Sequence, residues 1–229
     1  MRKIVRFALM AFPIALFLPA EATAQWYAGV DAGMLFDTFR VEYTFKVGTP
    51  NRYVNHASGP EAWVLLGYDI TFNRTLTLGI EVRGATNSER WELDNIDDFE
   101  GTTKGGPSHL RYEIPWNVRA AAVFKVRILP DIALTGELGM GWGLSRENKT
   151  SAVSTMYDYE GWVPGIAAGT GLEWRLSRRL DLVARFAYVG YRAFTYASHF
   201  PDGEIWETIS DQPSCLSGRI GLLFRIGER

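Results

Sequence analysis

The chain has 229 residues, with 24 Lys+Arg against 26 Asp+Glu, a formal charge of −2, and a single cysteine. Near-neutral charge argues against nucleic acid as a partner, and a lone cysteine excludes an internal disulfide. The length suits one large β domain, and no stretch reads as a linker between two.

The first element is a leader. Arg2, Lys3 and Arg6 precede the apolar run from Phe7 to Ala20, and Ala22-Thr23-Ala24 supplies a small-x-small site before Gln25. This order is that of a secretory signal peptide over residues 1–24; the run is short for a spanning helix and is broken by Pro13 and Pro19. Cleavage removes three basic residues and Glu21, taking the formal charge to −4 and leaving 25–229 as the mature domain. No mature segment reaches 18 uninterrupted apolar residues, so no membrane helix is expected there.

Eight strands of period two follow. In the first, Trp26 to Phe36, the residues Trp26, Ala28, Val30, Met34 and Phe36 oppose Gly29, Asp31 and Gly33. A long connection from Asp37 to Pro60 opens with Phe39, Val41, Tyr43 and Phe45, whose changed phase predicts a bulge. The second strand, Glu61 to Ile70, turns tightly through Phe72-Asn73-Arg74 into the third, Thr75 to Ala85, where Leu76, Leu78, Ile80 and Val82 oppose Thr77, Gly79, Glu81 and Arg83. After an acidic stretch from Thr86 to Ser108, the fourth strand, His109 to Val126, sets Tyr112, Ile114, Trp116, Val118 and Phe124 against Arg111, Glu113, Asn117, Arg119 and Lys125. Leu129-Pro130-Asp131 is a short exit to the fifth, Ile132 to Ser145, with Leu134, Leu138, Met140, Trp142 and Leu144 opposite Thr135 and Glu137. Arg146 to Glu160 is polar. The sixth strand, Gly161 to Leu176, turns at Ser177-Arg178 into the seventh, Leu180 to Arg192, and a last long stretch, Ala193 to Pro213, leads to the eighth, Cys215 to Ile226.

Four long connections thus alternate with three short ones. Membrane-spanning barrels combine short turns at one end, long loops at the other, an even strand count and apolar-out, polar-in alternation. A lipocalin-type soluble barrel shares the alternation but reverses the faces. Two features favour the membrane form: Trp26, Trp116, Trp142, Trp162 and Trp174 sit on the apolar face near strand ends, as interfacial girdles do, and the opposite face combines glycine with charges of both signs. Counted from the short-turn ends, Asp31, Glu81, Arg119, Glu137, Arg185 and Arg219 fall at one height, three acids and three bases. In a narrow barrel they are expected to meet as an ion cluster, because an unpaired buried charge costs several kcal/mol. The fold expected is all-β, an eight-stranded antiparallel up-and-down transmembrane β-barrel.

The ends of the mature chain carry a resemblance. Arg219-Ile220-Gly221-Leu222-Leu223-Phe224-Arg225-Ile226 follows polar-x-Gly-x-x-apolar-x-apolar, and is similar to the insertion signal that outer-membrane barrels present to their assembly machinery, with Arg219, Gly221, Phe224 and Ile226 at the signal positions. Here Gly227-Glu228-Arg229 follow it, where the usual signal ends on an aromatic. Trp26 to Met34, W-Y-A-G-V-D-A-G-M, resembles the first strand of the eight-stranded barrel domain of OmpA/OmpX-type and opacity-type surface proteins, often called porin-like. The resemblance implies a monomer in a Gram-negative outer membrane, both termini periplasmic, in contact with membrane lipid and lipopolysaccharide and delivered by the barrel assembly machinery.

Eight strands enclose just enough room for side chains, so a structural or surface-interaction role is expected ahead of a narrow channel or hydrophobic-solute conduit. A lipid A-modifying enzyme is the further alternative. His56, His109 and His199 stand at loops or strand tops, and Ser108 and Ser198 adjoin two of them, but strand neighbours point to opposite faces; no enzyme and no cofactor is expected. Glu89, Glu92, Asp94, Asp97, Asp98 and Glu100 cluster around Trp91 and Phe99 without the central glycine of a calcium loop, so no metal is assigned. Trp91, Asp97, Asp98 and Trp206 are the candidates for recognising an extracellular protein partner.

Overall fold

The computed structural model describes residues 23–45, 51–87, 91–94, 108–151, 157–199 and 205–227. The strands are β1 Thr23–Phe45, β2 Asn51–Thr71, β3 Leu76–Asn87, β4 Trp91–Asp94, β5 Ser108–Leu129, β6 Ile132–Ser151, β7 Tyr157–Arg175, β8 Leu180–Tyr191, β9 Phe194–His199 and β10 Ile205–Ile226. All pairings are antiparallel, and β1 pairs with both β2 and β10, so the sheet closes. Because β4 continues β3 along β5, and β9 continues β8 along β10, the closed wall has eight staves.

Pairing fixes the stagger. Followed once around the barrel, the ladder runs from Trp26 through Tyr68, Ile80, Ala122, Leu138, Ala168, Tyr188 and Leu216 to Phe36, ten residues further up β1. Stagger of this kind forces the strands to tilt, typically by ~35–45°. At ~3.3 Å per residue, the ten residues from Trp26 to Phe36 then rise by roughly the ~25 Å of an apolar membrane band. Trp26, Trp174 and Phe224 lie at its lower edge and Phe36, Trp116 and Leu216 at its upper edge, all exposed.

The wall faces oil and the interior holds charge. Val64 is 64% exposed and Ile220 65%, whereas Glu81 and Asp181 are 0% exposed. A soluble carrier has the opposite arrangement, so the lipocalin alternative falls.

The tight turns lie at the sequence positions that predicted them. Phe72 N–H donates to Leu76 O at 3.0 Å, and Asn73 Oδ1 accepts from the N–H groups of Thr75 and Leu76, both at 2.8 Å, which is the local bonding that suits Asn to turns. Leu176 N–H donates to Leu180 O at 2.9 Å at the β7–β8 turn.

The other end departs from expectation. Three of the four stretches read as long connections, Asp37 to Pro60, Arg146 to Glu160 and Ala193 to Pro213, are largely strand, with β1 running to Phe45 and β2 starting at Asn51. In the fourth, Thr86 to Ser108, residues 86–87, 91–94 and 108 are strand and the others lie outside the described residues. Polar residues on both faces hide a strand that has left the membrane for water, although its hydrogen bonds continue. The bulge expected after Asp37 is absent, since β1 pairs with β2 and β10 without a register shift; Phe39 and Val41 simply point into a lumen that has become apolar at that height. The irregularity lies in β5, between Glu113 and Trp116, around Pro115, which cannot donate to the ladder. It reverses the faces, so that Tyr112 and Ile114, expected outside, are buried inside.

Candidate functional site

Among the described residues, the lumen is where this fold gathers its buried charges, and it is layered. At the turn end, Lys125 Nζ lies 2.8 Å from both Asp69 Oδ2 and Glu173 Oε2, while Arg225 Nη2 lies 2.6 Å from both Glu173 Oε1 and Asp181 Oδ2. Arg225 also donates to Gln25 Oε1 at 3.3 Å. These residues come from β1, β2, β5, β7, β8 and β10, so the lower ring ties together most of the wall.

Tyr27, Leu65, Val183 and Leu223 form a thin apolar layer above it. Tyr27 crosses that layer. Its ring faces Lys125 Nζ below, 4.5 Å from the centroid, and its hydroxyl donates to Glu81 Oε1 above at 2.6 Å. Gly67 makes the crossing feasible, since a Cβ there would overlap the Tyr27 ring.

A mid-height ion chain follows. Arg185 Nη1 donates to Asp31 Oδ2 at 3.2 Å, and Arg185 grips Glu81 through two bonds at 3.1 and 3.2 Å. Arg83 Nε donates to Glu81 Oε2 at 2.5 Å, and Arg83 Nη1 pairs with Glu137 Oε2 at 2.6 Å. Arg219 stands further off, 3.9 Å from Glu137 Oε1 and 3.8 Å from Glu61 Oε1. Of the six charges singled out in the sequence, Asp31, Glu81 and Arg185 touch directly, Glu137 joins them through Arg83, and Arg219 lies at the margin.

Arg119 behaves differently. It makes no ion pair among the described residues; its guanidinium lies over the Trp63 ring at 4.4 Å, and Nη2 donates to Cys215 Sγ at 3.6 Å. Arg219 lies against the same ring at 4.8 Å, and Trp63 Nε1 donates to Glu61 Oε2 at 2.7 Å. Sequence reading missed Trp63, Glu61 and Arg83 as partners, and the lower ring as well. The period of two assigns all of them to the inner face, which was the usable signal.

The upper lumen is closed by packing. Leu35, Phe39, Val41, Ile114, Val163, Val189 and Tyr191 form a buried apolar cluster with Cys215, the Phe39 and Tyr112 rings lying 4.3 Å apart. Its polar tips are bonded: Ser145 Oγ donates to Tyr112 Oη at 3.0 Å, and Asn117 Nδ2 donates to Tyr191 Oη.

The remaining candidates are scattered. Phe224 and Ile226 point outward and are exposed, while Gly221 faces inward against the Asp31 carboxylate. Trp91 lies in β4 and Trp206 in β10, whereas Asp97 and Asp98 fall outside the described residues. His56, on the outer side of β2, lies 3.1 Å from Thr38 Oγ1. No group of three metal-ligating side chains is found among the described residues.

A closed antiparallel wall, apolar outside and ion-paired inside, defines an integral β-barrel of the outer-membrane class. No family model matches the chain, and no curated protein matches it. Solved structures do. OprG of Pseudomonas aeruginosa matches with a TM-score of 0.56 at 13% identity, over 88% of this chain and 96% of that one. A major outer membrane protein of Thermus thermophilus matches at 0.51 and 13% identity, over 89% and 100%. The outer membrane protease OmpT of Escherichia coli matches at 0.51 and 8% identity, over 88% and 97%. At these identities the likeness is one of fold: the chain has the up-and-down barrel of outer-membrane proteins.

Proposed function

We propose that the chain is an exported, monomeric outer-membrane barrel with a structural and surface-interaction role, residues 1–24 being removed on export. The tight turns and both termini would lie in the periplasm, and the long hairpins would stand outside, the usual polarity of such barrels. The observation that carries this reading is the filled lumen. A mid-height ion chain beneath an apolar plug opposes solute passage, while the strands continue well above the apolar band and present a broad external surface. Membrane lipid and lipopolysaccharide surround the wall, and the stretch holding Arg219, Gly221, Phe224 and Ile226 is the one offered to the assembly machinery. An extracellular protein partner would meet Trp91 of β4, Trp206 of β10 and the stretch of chain that carries Asp97 and Asp98.

Fractionation with gel electrophoresis of boiled and unboiled samples, followed by planar-bilayer recording, tests the reading. An outer-membrane protein with a heat-dependent mobility shift and no steady current is the expected result. A reproducible single-channel current would replace it with the narrow-channel reading. A soluble periplasmic protein without a shift would remove the membrane assignment.

A further inference from the structure

The outer wall carries a depression of about 910 Å³ in the upper half of the apolar band, crossing β1, β2, β3 and β5. Its volume falls in the ~300–1,000 Å³ range of sites that hold a small ligand. Register explains the hollow. One row of the ladder runs Ala32, Ala62, Thr86, Trp116, and the row below it runs Val30, Val64, Gly84, Val118. Ala62 and Thr86 occupy the middle of the upper row and Gly84 stands beside Val64 in the lower, with Trp116 and Val118 of β5 closing one side.

At Gly84, as at the outward Gly136 of β6, the chain itself does not require glycine, and what sets Gly84 apart is its place in the trough. Among the described residues only Gly227 has positive φ, so backbone conformation does not demand glycine at position 84. Packing does not demand it either, because a Cβ there would meet nothing within 4 Å. Glycine inside a strand weakens it and marks a bulge, a tight bend or a close approach by a ligand or another backbone, and Gly84 pairs with Val64 and Val118 without a register shift, so no bulge accounts for it. We infer that the trough seats an acyl chain of lipopolysaccharide in the outer leaflet.

The choice of occupant follows from position. Val30, Val64 and Val118 belong to the exposed apolar wall, so hydrocarbon must cover them. Trp116 and Trp162 stand at the upper rim, where the band gives way to the exposed Arg146–Glu160 pair, and indoles favour headgroup level. The trough therefore runs from headgroup level towards mid-height, the path of an acyl chain, and among its described lining residues Thr86 is the only outward polar side chain. The inference rests on the outer-membrane orientation proposed above, which assigns the upper half to the outer leaflet.

The test is native mass spectrometry of the intact protein extracted from outer membranes in mild detergent. Gly84→Trp and Ala62→Trp fill the trough. Gly136→Trp is the control, at another outward glycine with open space, lower on β6 and outside the trough. The expected result is a lipopolysaccharide adduct on the wild type and on Gly136→Trp that is lost in both trough variants, all retaining the heat-dependent mobility shift. Should a tryptophan variant fail to fold, Gly84→Leu takes its place. Equal adducts in every protein, an adduct with the mass of a glycerophospholipid, or a dimer that only the trough variants lose would each overturn the inference. Labelling of Arg52→Cys on whole cells with an impermeant maleimide reports the orientation separately.

Discussion

Arg185 on β8 and Glu81 on β3, 104 positions apart in the chain, meet side-on in the middle of the lumen, Nη1 to Oε2 at 3.2 Å and Nη2 to Oε1 at 3.1 Å. The pair joins non-adjacent staves, so it reports closure of the barrel and not merely pairing of neighbours. Removing one partner leaves buried charge uncompensated. Arg185→Ala, which strands Asp31 and removes one of the two guanidiniums that hold Glu81, should cost about 3–5 kcal/mol in a urea titration in lipid vesicles. Arg219→Ala should cost less, because Arg219 stands at 3.8 and 3.9 Å from its acids and its guanidinium makes no hydrogen bond among the described residues. Arg146→Ala, on the exposed surface beside Glu160, should change stability by about 0–1 kcal/mol. Equal costs for all three would remove the ion chain as a source of stability.

Depth in the membrane can be read from single arginines. The stagger puts Val82 near mid-height and Leu78 level with Trp26 at the lower edge. Val82→Arg should therefore destabilise by about 2–4 kcal/mol and Leu78→Arg by about 0–1 kcal/mol. The reverse order would mean that the band lies nearer the turns.

Two glycines on opposite faces should respond with opposite signs. Gly67→Ala drives a methyl into the Tyr27 ring and should cost about 1–3 kcal/mol by overpacking. Gly84→Ala meets open space, and should stabilise by up to about 1 kcal/mol through the backbone entropy of the unfolded chain. Equilibrium unfolding of the two variants beside the wild type measures both.

Cys215 gives a closure assay without mutation. Its thiol is buried in the upper lumen, under the cluster of Leu35, Val189 and Tyr191, so an impermeant maleimide should leave the folded protein unmodified and add one label after heating in detergent. Rapid labelling of the unheated form would show that water and solutes reach the upper lumen.

Much of this was legible from a period of two. Alternation alone assigned Leu216, Ile220 and Phe224 to one face and Ser217, Arg219 and Gly221 to the other, and the three tight turns announced themselves through Asn73, Pro130 and Ser177. It failed where a local irregularity or a change of surroundings intervened. Pro115 turned Tyr112 and Ile114 inward, and polar residues on both faces disguised the strand extensions above the membrane as loops.

By itself, then, the sequence determined which residues share a face, how many staves there are and which ends are short. Alternation is local, written into successive side chains and readable one strand at a time. Tryptophan placement and the mixed charges of the opposite face already favoured oil on the apolar side; which charge meets which, only the tertiary structure decided. A level count grouped Arg119 with the acids, yet closure places it over Trp63 and hands Glu81 to Arg185 and Arg83. Partners across the lumen depend on the ten-residue stagger, which comes into being only when β10 closes against β1.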